Sequence, residues 1–82
     1  AERNAVINGE EIDLLVITER RVYVVEVKIR PKHEDVGALL AKAEVVAKYY
    51  PDKQVIPVMS GALIGREVAS YARGKGALVY RY

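Results

Sequence analysis

Apolar and polar positions change period several times along this chain, and each change predicts an element. Residues 4 to 8 (Asn-Ala-Val-Ile-Asn) read as a short strand. Asn8-Gly9 follows as a type I′ hairpin signal, because both residues tolerate positive φ. Residues 10 to 18 supply the second strand, and the charged Glu19-Arg20-Arg21 makes the next turn. Residues 22 to 30 are the most β-branched stretch and read as a strand apolar on both faces, which suits a central position. Pro31 ends it. Glu34 and Asp35 then place negative charge where a helix N-terminus favours it. Val36, Leu39, Leu40, Ala43, Val46, Ala47 and Tyr50 recur at helical spacing until Pro51 stops the pattern. Residues 53 to 59 form a strand whose Pro57 points to an edge, a bulge or a strand end. Residues 63 to 73 make a shorter helix with Ile64, Val68, Tyr71 and Ala72 inward and Gly74 or Gly76 as its αL cap, and residues 77 to 81 form a last strand. The order is β-β-β-α-β-α-β: an antiparallel meander followed by right-handed crossovers, an α/β mixed sheet with helices packed on it.

Composition adds limits. Eighty-two residues without repeats or linkers support one domain, 1–82, on a single small core. Zero cysteine excludes a disulfide framework and thiolate chemistry. Apolar runs of only a few residues exclude a membrane-spanning helix, and the absence of a leader pattern makes a cytoplasmic location the default expectation. Thirteen Lys+Arg against eleven Asp+Glu give a net charge of +2, which permits nucleic-acid contact without demanding it.

Three charges stand where folding gains nothing obvious from them. Asp13 lies between Ile12 and Leu14-Leu15, and Glu26 and Lys28 interrupt an apolar strand. Alternation puts Glu26 and Lys28 on one face roughly 7 Å apart, with Val27 pointing away. Whether Asp13 joins them depends on the hairpin register. Two close carboxylates repel each other, a divalent cation relieves the repulsion, and a neighbouring ammonium can position water, so the chemistry that fits is metal-assisted phosphodiester hydrolysis with Mg²⁺ or Mn²⁺. The bland alternative is an ion pair between Glu26 and Lys28 across an exposed sheet face.

Asp13, followed after twelve residues by Glu26-Val27-Lys28 on the next strand with a helix immediately after, resembles the PD-(D/E)XK nuclease superfamily, which includes restriction enzymes and archaeal Holliday junction resolvases. The wording Gly9-Glu10-Glu11-Ile12-Asp13-Leu14-Leu15, Val25-Glu26-Val27-Lys28 and Tyr50-Pro51-Asp52 is similar to mainly archaeal domains of that superfamily. The resemblance implies a restriction endonuclease-like fold and a nuclease acting on DNA. In it Asp13, Glu26 and the Val27 carbonyl are metal ligands and Lys28 orients the attacking water. It departs in two ways: Ile12 stands where a proline often precedes the aspartate, and no helix fits before Asn4. The expectation is therefore an N-terminally truncated nuclease-like domain, whose uncovered sheet face predicts a homodimer. The alternative is a catalytically silent domain of the same fold that binds DNA or drives oligomerisation.

Other candidates rank lower. Glu11, on the same face as Asp13, is a possible auxiliary ligand, and Lys42, at the edge of the helix stripe, is a possible auxiliary cation. Arg30, Lys32 and the lone His33 form with Lys28 a short basic run that could grip a phosphate backbone. Glu10 reads as solvent-facing, Gly61 and Gly65 as a flexible helix entry, and the tyrosines as packing residues.

Overall fold

The computed structural model describes residues 1–82. Its elements run β1 (Glu2–Ile7), β2 (Glu10–Ile17), β3 (Arg21–Lys28), α1 (His33–Tyr49), β4 (Gln54–Gly61), α2 (Arg66–Gly74) and β5 (Leu78–Arg81). The five strands form one sheet in sequence order. β1–β2 and β2–β3 are antiparallel, whereas β3–β4 and β4–β5 are parallel, as crossovers through α1 and α2 require. No helix is long and apolar enough to cross a membrane.

Local chemistry explains the junctions. Asn8 at φ 49° and Gly9 at φ 80° make the left-handed pair of the first hairpin. Asp35 reaches back to accept the Lys32 backbone N–H at 2.8 Å, which starts α1. α2 ends in a Schellman motif: Gly76 takes φ 90°, its N–H donates to the Arg73 carbonyl, and the Ala77 N–H donates to the Ala72 carbonyl. Pro57 is tolerated although β4 lies between two strands. β5 pairs only from Val58 onward, so β4 is still open on that side at Pro57.

Both helices lie on one side of the sheet. Val22 and Val24 of β3, Leu15 of β2 and Met59 of β4 meet Val36, Leu39 and Val46 of α1 and Ala72 of α2 in one core. Alternation turns Leu14, Val16, Tyr23, Val25, Ile56 and Val58 to the opposite face. These six are only half-buried, and Val27, Leu78 and Tyr80 beside them are exposed. No element covers that face.

Candidate active site

The two-residue alternation of β2 breaks at Asp13. Ile12 and Leu15 are three apart yet both are buried in the same core, which regular alternation forbids. Opposite them the β1–β2 ladder skips the pair Asn4 and Asp13, and Asn4 has φ 52°. On the other side the β2–β3 ladder stops at Leu14–Val25, one position short of Asp13 and Glu26. The sheet therefore splays where Asp13 and Glu26 lie opposite each other, a common device for re-aiming side chains.

Carboxylates replace the missing ladder bonds. The Val27 N–H donates to Asp13 Oδ2 at 2.9 Å, and the Asp13 N–H donates to Glu26 Oε2 at 3.3 Å. Each acid thus caps the other's strand, so Asp13 and Glu26 are fixed relative to each other by backbone geometry. Glu26 shares the α1 face with Val22 and Val24 and is only 6% exposed. A buried carboxylate needs a partner. Lys42 of α1 supplies it, donating from Nζ to Glu26 Oε1 at 2.7 Å and to the Glu11 carbonyl at 2.6 Å. Burial pulls the Lys42 pKa down. The hydrogen bond to Glu26 and the fields of Glu26, Asp13 and Glu10 outweigh that, and the ammonium is held above the ordinary lysine range.

Several sequence expectations shift here. The simple Glu26–Lys28 ion pair is not formed, because Glu26 pairs with Lys42 and Lys28 points to Asp35 Oδ1 at 3.9 Å. Lys42, ranked as auxiliary, stands at the centre. Glu11 is exposed and offers its carbonyl to Lys42, while Glu10, two residues before Ile12, adds its field to those of Glu26 and Asp13 at that ammonium. His33 opens α1 and is exposed, its ring centroid 5.0 Å from that of Tyr71. Gly61 is no flexible entry either. It ends β4, and a Cβ there would lie 2.8 Å from the Lys28 carbonyl oxygen and 2.9 Å from Pro31.

Sequence reasoning missed Asn4 and Arg81. The first takes its distorted conformation from its place opposite Asp13, and the second joins Arg30 and Lys32 around one cleft only through the β4–β5 pairing. Neither relation has a local sequence signal.

No protein-family model and no curated protein matches the chain. Two solved structures do. A repair endonuclease from Pyrococcus abyssi superposes with a TM-score of 0.84 at 14% identity, over 100% of this chain and 37% of that one. A structure described as an EndoMS–dsDNA2 complex superposes with a TM-score of 0.82 at 18% identity, over 100% of this chain and 35% of that one. The chain spans just over a third of the length of either. With the element order and the mixed sheet, this likeness shows that the chain has the restriction endonuclease-like fold.

Proposed function

We propose that the chain is a metal-dependent nuclease domain that hydrolyses DNA phosphodiester bonds. The observation that carries this reading is the buried Glu26 set against Asp13 where the β2–β3 ladder opens. Folding alone does not call for two carboxylates capping each other's strands where a sheet opens. The shared fold with a repair endonuclease and with a protein solved on double-stranded DNA supports it.

The donor set is all oxygen, which suits Mg²⁺ or Mn²⁺. Asp13 and Glu26 would hold the ion, with the Val27 carbonyl as a third ligand, and Asp13 Oδ1 has no hydrogen-bond partner that would compete. Bound there, the cation supplies a polarised phosphate oxygen and a more acidic water. The chain's own residues do the rest. Lys42 balances the charge of Glu26 and yields Oε1 when the carboxylate is needed. Lys28, whose partner Asp35 is at a distance too long for a hydrogen bond, is free to orient the attacking water and stabilise developing negative charge. Glu11 is at most auxiliary in this reading, through its carbonyl.

A second reading has one observation in its favour: the Lys42 pair already satisfies Glu26 without a cation. In that reading the fold is a silent DNA-binding or assembly module. Metal-dependent cleavage of several DNA forms separates the two. The nuclease reading expects cleavage with Mg²⁺ or Mn²⁺ that falls on the order of 10²-fold or more in Asp13→Asn and Lys28→Ala. Undiminished cleavage in both variants overturns the site, and no cleavage of any form selects the silent module. The proposal extends to a homodimer, since the open apolar sheet face can pair with its own copy about a two-fold axis.

A further inference from the structure

A cleft of about 660 Å³ lies at the carboxyl ends of the parallel strands, away from the carboxylate pair. That is where open α/β sheets place ligands. It is a built feature, because its two walls are tied together. The Leu63 N–H in the β4–α2 loop donates to the Ile29 carbonyl in the β3–α1 loop at 2.8 Å, and the Tyr82 N–H beyond β5 donates to the Gly61 carbonyl at 3.1 Å. Gly61 lets the loops approach so closely.

The charged side chains of the cleft have one sign. Arg30, Lys32 and Arg81 line it, with His33 beside them, and no Asp or Glu does. None of the four is in an ion pair: the two salt bridges of the molecule belong to Lys28 and Lys42. Asp35 is close in sequence but turns back onto the Lys32 N–H and Lys28. The N-terminus of α2 opens into the same space. Its N-cap is Gly65, which gives no side-chain cap and has open space where a Cβ would stand, so the first backbone N–H groups of α2 have no partner within the helix. Facing these donors are apolar surfaces from Pro31, Leu63 and Val68, with Leu63 exposed. An anion beside an apolar group is the chemistry of a nucleotide.

We infer that this cleft binds one nucleotide unit of a nucleic acid strand, its phosphate held by Arg30, Arg81 and the α2 N-terminus and its sugar and base laid on Leu63 and Val68. The inference rests on the nucleic-acid reading above and adds a second anchor to it. Arg30 is four residues from Glu26, at most about 14 Å of chain, so one strand reaches both places.

The test is anisotropy of a labelled short single-stranded DNA in EDTA, which removes any contribution of a cation at Asp13. Arg30→Ser/Arg81→Ser and Leu63→Glu are each expected to weaken binding at least tenfold with unchanged thermal melting. For the double variant the slope of log affinity against log salt falls by about 0.7, the equivalent of one phosphate contact. Should the double variant not fold, Leu63→Glu decides, since it adds a carboxylate at an exposed position without removing a cation. Wild-type affinity in the folded variants overturns the proposal. So do amide shifts at Gly65 and Arg66 with millimolar inorganic phosphate but none with DNA, which would assign the cleft to free phosphate. Cleft-dependent binding without any cleavage would remove the nuclease reading and leave this one standing.

Discussion

Lys42 and Glu26 decide most at the scale of single residues. Removing one partner of a largely buried pair leaves a poorly compensated charge, so Lys42→Met is expected to destabilise by about 2 kcal/mol, read as a lower urea midpoint. Adding Glu26→Leu should restore most of that loss, because an apolar pair of similar volume replaces the ions. If the double variant is no more stable than Lys42→Met, the pair is not what holds α1 to the sheet there. The same pair sets a pH dependence. The Lys42 pKa is raised in the folded chain, so its contribution is complete below the ordinary lysine pKa and fades as pH rises through the raised value. Stability measured from neutral into strongly alkaline solution should therefore fall less in Lys42→Met than in the wild type. The sequence made Asp13, Glu26 and Lys28 legible because charges inside an apolar hairpin are conspicuous. It left Lys42 ambiguous, since a lysine at a stripe edge looks the same whether it meets solvent or a buried acid.

Glycines separate local from tertiary demands at the scale of elements. Gly37 lies inside α1 with open space at its Cβ position, so Gly37→Ala should stabilise by about 0.5–1 kcal/mol through helix propensity. Gly61→Ala should cost about 2 kcal/mol, because the new methyl meets the Lys28 carbonyl and Pro31, which cannot swing away as a flexible side chain would. Equilibrium unfolding in urea measures both, and a neutral Gly61→Ala would contradict the close packing of the two loops. The contrast also marks what sequence could supply. Asn8-Gly9, the α1 stripe and the Gly76 cap are local patterns that stand in the structure where they were expected, except that Ala47 of the stripe is exposed. β1 begins earlier than its apolar run, at Glu2, because pairing with Leu15 extends it beyond its own propensity. The splay at Asn4 and Asp13, the fit of Gly61 and the place of Arg81 come from contacts between distant segments, which no periodicity encodes.

The uncovered face of the sheet governs the molecule as a whole. Leu14, Val16, Tyr23, Val25, Ile56 and Val58 sit half-buried beside exposed Val27, Leu78 and Tyr80, an apolar surface of the kind that marks an interface. Sedimentation at micromolar concentration is expected to show a dimer that Val25→Glu or Val58→Glu converts to monomer, and a wild-type monomer across that range would refute the self-association. A crystal soaked in Mn²⁺ tests the carboxylate pair most directly. The nuclease reading expects an anomalous peak between Asp13 and Glu26, with Lys42 withdrawn from Glu26 Oε1 and the peak lost in Asp13→Asn. No peak at saturating Mn²⁺, with the Lys42–Glu26 contact intact, would contradict it.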